Sequence, residues 1–207
     1  MQISLVLMLS GKAERFGENK LLTELWGRPV YRYALRQAAE SGADHVTLVT
    51  GFEEIALYCK DHYPTASVVM NRHPERGISE SLKIGLRHEM KMTGDGRGPE
   101  GCCFLVGDQP LLQPSSLRAL LDAFRRNPDR IFLLSDGEHE GNPAVFPASF
   151  FPLLLALEGD HGGRQLIGRF PERTDKVMTR DSLELYDIDT KEDLMRICDH
   201  PFKHMKS

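Results

Sequence analysis

Ile3-Ser4-Leu5-Val6-Leu7-Met8-Leu9-Ser10-Gly11 decides how the rest of the chain is read. An apolar run of this kind beside the N-terminus reads as a buried strand, as inside a parallel sheet. The run stops at Ser10-Gly11 and passes into Lys12-Ala13-Glu14-Arg15-Phe16-Gly17-Glu18-Asn19-Lys20-Leu21-Leu22. Gly11 and Gly17 permit positive φ and a close approach of main chain to a ligand. Such a turn can aim successive N–H groups at a phosphate. Lys12, Arg15 and Lys20 add positive charge, Arg15 as a fork onto phosphate oxygens and Lys20 as a mobile point charge. A solvated strand-to-helix loop accounts for the same residues without a ligand. Two familiar phosphate loops do not fit. Gly17 is followed by Glu18-Asn19 rather than the Lys-Ser/Thr of a P-loop, and Ser10-Gly11-Lys12-Ala13 lacks the Gly-x-Gly-x-x-Gly of a dinucleotide fold.

The chain has 207 residues, 41% apolar and 27% charged. That is ordinary for a soluble globular protein and ample for one domain with a sizeable core. A formal net charge of −4 speaks against general nucleic-acid binding, which calls for a basic face. The first apolar run has no basic region before it and no small-residue cleavage site after it, so it does not read as a signal peptide. No segment approaches the length of a membrane-spanning helix. Cys59, Cys102, Cys103 and Cys198 show neither zinc-site spacing nor a disulfide framework. Buried thiols in a reducing compartment are expected, and hence a cytoplasmic protein.

The pattern predicts a helix over 29–41, with Pro29 in its first turn and Gly42 past its end. Strands over 46–50 and 66–70 flank a helix over 52–62. An amphipathic helix over 79–92 carries Leu82, Leu86 and Met90 on one face, and a Gly/Pro-rich loop over 93–101 follows. The apolar strand 102–106 runs into Gly107-Asp108-Gln109-Pro110. A helix over 114–126, with Leu117, Leu120, Leu121 and Phe124 as its stripe, comes next. Then come a strand over 131–134, a turn over 135–141 and a returning strand over 144–146. Short helices over 149–157 and 163–169, a last strand over 183–189 and a helix over 191–198 complete the chain. Alternating strands and helices imply βαβ units and a parallel sheet, with mixed strands in the C-terminal third. The expected fold is a three-layer α/β/α, Rossmann-like domain spanning residues 1–207.

In open α/β sheets ligands bind beyond the carboxyl ends of the strands. Ser10-Gly11, Asn71 and Gly107-Asp108 stand at three such ends. A carboxylate such as Asp108 is costly there unless solvated, paired or bound to metal, though a turn residue is the plain alternative. In Tyr186-Asp187-Ile188-Asp189-Thr190, an extended backbone would put Asp187 and Asp189 on one face and Ile188 in the core. Asp189 or Thr190 equally suits the N-cap of the following helix, whose positive end Glu192-Asp193 would favour. Carboxylates from two strand ends can hold a Mg²⁺ ion that carries substrate phosphates.

Taken together, Leu9-Ser10-Gly11 through Arg15-Phe16-Gly17 to Lys20-Leu21-Leu22, then Gly107-Asp108-Gln109-Pro110, then Asp187-Ile188-Asp189-Thr190, resemble the MobA-like nucleotidyltransferases. Asn71 with Gly77-Ile78-Ser79-Glu80-Ser81-Leu82 is similar to that family's Asn-…-Gly-Met-Ser-x-Ser-Leu segment. Gly141-Asn142-Pro143-Ala144-Val145-Phe146 and Gly159-Asp160-His161-Gly162-Gly163-Arg164 resemble its Gly-His-Pro-x-x-Phe and Gly-Asp-x-Gly-Ala-Arg segments. The Gly-Asp-Gln-Pro form resembles the molybdenum cofactor cytidylyltransferase branch, whereas the guanylyl branch usually has Cys-Asp-Met-Pro. Four departures stand out: Leu9-Ser10 replaces the usual Ala-Ala pair, Ala13 stands where Ser is usual, Pro74 stands where Trp is frequent, and Asn142 stands where His is usual.

The resemblance implies a GT-A-like nucleotidyltransferase domain, its N-terminal part binding nucleotide and its C-terminal part the acceptor. An acceptor phosphate would attack the α-phosphorus of CTP, or another NTP, and pyrophosphate would leave. Lys20, Arg15 and Asp108 would be catalytic. Leu9, Ser10, Gly11, Lys12, Arg15, Lys20, Asn71, Gly77, Ser79, Ser81, Gly107 and Asp108 would contact nucleotide. Asp108 and Asp189 would carry Mg²⁺, with Asp187 as an alternative ligand or acceptor contact. Gln109, Asn142, Asp160, Gly163, Arg164 and Asp187 would face the acceptor, molybdopterin, whose product would pass to a molybdenum hydroxylase. A sugar-phosphate or other small phosphorylated acceptor, or a non-catalytic nucleotide- or cofactor-binding accessory role, are the alternatives. No nucleic acid or membrane partner is expected.

Overall fold

A computed structural model describes residues 1–11, 19–92 and 98–198. The elements in chain order are β1 (Ile3–Leu9), β2 (Glu24–Leu25), β3 (Arg28–Pro29), α1 (Val30–Ala39), β4 (His45–Thr50), α2 (Glu53–His62), β5 (Ser67–Met70) and α3 (Ile78–Met92). They continue with β6 (Gly101–Val106), α4 (Pro114–Arg126), β7 (Ile131–Ser135), β8 (Glu140–Pro147), α5 (Phe151–Leu155), α6 (Arg164–Arg169), β9 (Thr174–Met178) and α7 (Lys191–Cys198). Seven strands form one sheet in the order β5-β4-β1-β6-β8-β7-β9. β1 pairs in parallel with β4 and β6, β4 with β5, and β7 with β9, while β8 runs against both β6 and β7.

β1 is buried along its whole length because it feeds two cores. Ile3, Leu5, Leu7 and Leu9 pack against Tyr31, Ala34 and Leu35 of α1, Ile55 of α2, and Leu117, Leu121 and Phe124 of α4. Val6 and Met8 point the other way, to Leu82 and Leu86 of α3, Leu154 of α5 and Leu166 of α6. The two-residue period of a strand thus divides one apolar run between two helical layers. Gly85 lets α3 lie directly on the sheet, since a Cβ there would stand 2.3 Å from Val6 Cγ1.

Several expectations need correction. The helix predicted from Pro29 starts at Val30. Pro29, at φ −55° and ψ 142°, ends β3 in an extended conformation that needs no N–H. Residues 183–189 are not a strand. Ser182–Leu185 forms a single 3-10 turn begun by Asp181, whose Oδ1 accepts from the Leu183 N–H at 2.9 Å. The last strand of the sheet is instead β9, an edge strand reading Thr-Asp-Lys-Val-Met. Its paired charges, including Asp175 with Arg130, mask it from any search for apolar runs. Gly101 belongs to β6 rather than to the preceding loop, since it pairs with Ile3 and Pro147, and only a glycine clears the Phe124 ring, 2.3 Å from where a Cβ would be. The β2–β3 hairpin, turning at Trp26 (φ 49°) and Gly27 (φ 80°), has no strand signal in the sequence.

Candidate active site

From β1 the chain builds outward on one side through β4 to β5, and then crosses to β6 on the other. The crevice at this switch point, beyond the carboxyl ends of β1 and β6, is where an open α/β sheet binds ligand. Met8 of β1 lies opposite Val106 of β6, so Ser10-Gly11 and Gly107-Asp108 leave the sheet side by side. A cleft of about 450 Å³ opens there, and its walls include Ser10, Gly11, Lys20, Gly107, Asp108 and Asp189. Gly77, Ser81 and Asp160 line it too, together with Pro74, Glu75 and Ile78.

Lys20 is the centre of the charge arrangement. Its ammonium donates to Asp108 Oδ2 at 2.7 Å and to Asp189 Oδ1 at 2.8 Å. Burial alone would depress the Lys20 pKa, but the Asp108 and Asp189 carboxylates outweigh it and hold it above the ordinary lysine value. Asn19 starts the turn that carries Lys20: its side-chain oxygen accepts from the Leu21 N–H at 3.1 Å and its carbonyl from Leu22 at 3.0 Å. The segments bearing the two aspartates are tied together directly, because the Ile188 N–H donates to the Asp108 carbonyl at 3.0 Å. Ile188 is fully buried between two exposed neighbours, so Asp187 and Asp189 do share a face although no strand forms. The Gln37 amide donates to the Gln109 carbonyl at 3.0 Å and pins the turn from below.

Asp187 reaches solvent, yet many protein atoms surround its carboxyl. Desolvation by those atoms, with the charges of Asp108 and Asp189 nearby, pushes its carboxyl up to about 6. A hydrogen bond from Gln109 and the Lys20 charge oppose the rise. Asp108 Oδ1 is buried and has no hydrogen-bond partner among the described residues, while Oδ2 takes the lysine. An orphaned carboxylate oxygen beside a second carboxylate can coordinate a hard cation. Among the described residues no three acidic, histidine or cysteine groups converge on one point. Two carboxylates suit an ion that completes its shell with substrate phosphates and water rather than with a full protein cage.

The other expected residues fall in three places. Leu9 is fully buried in the α1 side of the core, and its side chain fills the space above Gly107, where a Cβ would meet Leu9 Cδ2 at 2.5 Å. Asn71 is buried behind the cleft wall. It donates to Ser81 Oγ at 2.9 Å and accepts from the His73 N–H at 2.8 Å, so it holds Ser81 at the cleft. Ser79 is fully buried, its hydroxyl without a partner among the described residues and its N–H bonded to the Gly159 carbonyl at 3.1 Å. Gly77 packs so closely on that loop that a Cβ would lie 2.4 Å from the Gly159 carbonyl, which brings Asp160 to the cleft. Gly163 lies under the Phe146 ring, Asn142 in β8 and exposed Arg164 at the start of α6; none of the three is among the cleft-lining residues. Lys12 and Arg15 lie outside the described residues. Glu75 and Ile78 also line the cleft, Ile78 as an unassigned member of the Gly77–Leu82 motif and Glu75 with no motif to signal it. Their position follows from Gly77's approach to Gly159.

A lysine held between two carboxylates, at the switch point of a mostly parallel sheet and beside a cleft of about 450 Å³, suits the binding and transfer of a nucleotide, and the class is that of the nucleotidyltransferases. The chain belongs to the MobA-like NTP transferase family, whose domain profile matches residues 5–176. It is 31% identical over 196 residues to the purine catabolism protein PucB of Bacillus subtilis, covering 91% of this chain and 92% of that one. A nucleotidyl transferase from Methanothermobacter superimposes with a TM-score of 0.75 at 25% identity, over 96% of this chain and 97% of its own. Rv0371c of Mycobacterium tuberculosis, crystallised with manganese, superimposes with a TM-score of 0.74 at 25% identity, over 96% of this chain and 98% of its own. No helix among the described residues is long and apolar enough to cross a membrane.

Proposed function

We propose that the protein transfers CMP from CTP to molybdopterin. An acceptor phosphate oxygen bonds to the α-phosphorus, the bond from that phosphorus to the β-phosphate oxygen breaks, and pyrophosphate leaves. The observation that carries this reading is Lys20 held between Asp108 and Asp189 at the mouth of the cleft. Charge neutralisation and alignment are most of what phosphoryl-type transfer asks of a protein. Lys20 swings from the carboxylates to the α-phosphate, where its charge offsets the negative charge moving onto the leaving group. Asp108, through its free Oδ1, and Asp189 would hold Mg²⁺, which when bound would orient the triphosphate and act as a Lewis acid. Ser10 and Gly11 offer main-chain groups to the nucleotide, and Ser81, fixed by Asn71, offers its hydroxyl. Arg15 serves the β- and γ-phosphates, and Lys12 contacts the nucleotide. Asp160, Gln109 and Asp187 face the acceptor from the C-terminal part of the chain.

Gly107-Asp108-Gln109-Pro110, in its resemblance to the cytidylyltransferase branch, supports cytidine, and on the same resemblance we take molybdopterin as the acceptor, a molybdenum hydroxylase as recipient and the cytoplasm as the setting. Pro74 in the cleft wall, in place of a residue that is frequently Trp, favours a second reading with a sugar-phosphate acceptor. Incubation with CTP, Mg²⁺ and molybdopterin, followed by pyrophosphate measurement against GTP, ATP and UTP, tests the reading. Pyrophosphate release only when a sugar phosphate replaces molybdopterin would transfer the assignment to the second acceptor. No release with any nucleotide and acceptor would end it.

A further inference from the structure

The carboxylate of Asp193, in the first turn of α7, gathers more of the active-site backbone than a helix cap requires. Its Oδ2 accepts from the Thr190 N–H at 2.8 Å, the Thr190 hydroxyl at 2.8 Å and the Asp189 N–H at 3.2 Å. Its Oδ1 accepts from the Tyr186 hydroxyl at 2.7 Å. The return bond, from the Asp193 N–H to Thr190 Oγ1 at 3.2 Å, completes a capping box. A box explains the two bonds to Thr190. It does not explain those to Tyr186 and Asp189, which lie on either side of Asp187. One carboxylate therefore spans the Tyr186–Thr190 segment and replaces the strand pairing that this segment lacks.

The other end of α7 is tied to the lysine side of the site. Trp26, at the tip of the hairpin that follows Lys20, donates its indole N–H to the Cys198 carbonyl at 3.3 Å. Leu25 of that hairpin and Ile197 of α7 share a small core with Ile188. Helix α7 thus bridges the segment bearing Lys20 and the segment bearing Asp189.

We infer that Asp193 is a positioning residue: through its bonds to Tyr186, Asp189 and Thr190 it fixes the Asp189 carboxylate at the distance from Asp108 that a divalent ion and Lys20 require. The inference rests on the nucleotidyltransferase reading of the same site. Partners that orient metal ligands typically cost about 10–100-fold in metal affinity or activity when removed.

Three variants separate positioning from capping. Asp193→Ala removes both roles. Tyr186→Phe frees Asp193 Oδ1 and leaves the capping box whole. Glu192→Gln alters the charge of the same helical turn and touches neither. Mn²⁺ binding in the presence of CTP, followed by loss of the free-ion paramagnetic signal, is measured beside the metal concentration at half-maximal turnover. Emission of Trp26, the one tryptophan in the chain, reports whether α7 remains docked. Amide hydrogen exchange at Asp189 and Thr190 reports the positioning itself, without any ligand.

With Trp26 emission unchanged, Asp193→Ala is expected to weaken Mn²⁺ binding about 10–100-fold. Tyr186→Phe should weaken it less, and Glu192→Gln should leave it at the wild-type value. Exchange at Asp189 and Thr190 should accelerate in Asp193→Ala. Unchanged Mn²⁺ binding in Asp193→Ala and Tyr186→Phe, with only a lower melting temperature in the former, would reduce Asp193 to a cap and overturn the inference. Wild-type protein that neither binds Mn²⁺ with CTP nor turns over would overturn the function instead. Exchange would then decide the positioning role alone, and unaltered exchange would overturn it.

Discussion

Replacing Lys20 with methionine keeps the length of the side chain and removes its charge, so it isolates what the ammonium does. At 2.7 and 2.8 Å, an effective dielectric constant near 20 makes each arm of the bridge worth roughly 6 kcal/mol before desolvation. Most of that does not survive. The Asp189 side chain is 56% exposed, so screening cuts its arm to about 0–1 kcal/mol. The Lys20 and Asp108 side chains are 11% and 21% exposed, so truncating this pair strands a poorly hydrated carboxylate at a cost of about 2–4 kcal/mol. For a chain of this length that is a fall in Tm of roughly 4–16 °C. The catalytic loss is separate, because a charge aimed at the transition state is worth about 100–1000-fold in kcat. Adding Asp108→Asn to Lys20→Met removes the stranded charge, so most of the Tm should return while turnover stays lost. The assay is pyrophosphate release from CTP and acceptor, at a temperature where each variant is folded by circular dichroism. A kcat within threefold of wild type for Lys20→Met, or a recovery of activity alongside stability in the double variant, would refute the reasoning.

Other outcomes follow from the same geometry. Gly77→Ala places a methyl group 2.4 Å from the Gly159 carbonyl at φ +84°; the strain and forced displacement should cost about 2–4 kcal/mol and reduce turnover, by thermal unfolding and kinetics. In metal-free buffer Asp187, with a pKa of about 6 against an ordinary 3.8, keeps its proton in the folded state longer than in the unfolded state. Stability therefore falls as pH rises through that window. Asp187→Asn should flatten the fall and raise stability at pH 7 by roughly 0.5–1 kcal/mol after solvent screening, with no gain at pH 3.5. Burial pushes the Cys59 thiol up to about 12 and those of Cys102 and Cys103 far above the usual range, so iodoacetamide at pH 8 should label only partly exposed Cys198 in the native protein. Labelling of all four before unfolding would contradict the packing of β6.

Apolar content and its period carried the legible part of the fold. β1 and α4 are readable because each buries a complete run or stripe, and α7 because its acidic first turn marks its start; residues 114–126 and 191–198 have the expected limits. β9 and the β2–β3 hairpin were not, since an edge strand of charged residues and a two-residue ladder bury too little apolar surface to leave a periodic trace. The stretch 186–189 misled because its alternation is genuine. Ile188 is in the core and its neighbours are out, but the backbone makes one bond to Asp108 instead of a ladder.

For the site, composition and motif order named Lys20, Asp108 and Asp189 as residues able to serve one chemistry, because residue type fixes charge and donor capacity. Their convergence is a tertiary fact. The three lie 88 and 169 residues apart along the chain, and only the crossover from β5 to β6 brings Ser10 and Gly107 to one edge. Likewise, the sequence could mark Asp193 as a helix-start acid, but only folding could bring Tyr186 and the Asp189 amide onto the same carboxylate. Local patterns encode what each segment can do at short range. Which segments meet is settled by the packing of two helical layers on one sheet, a property that no single segment contains.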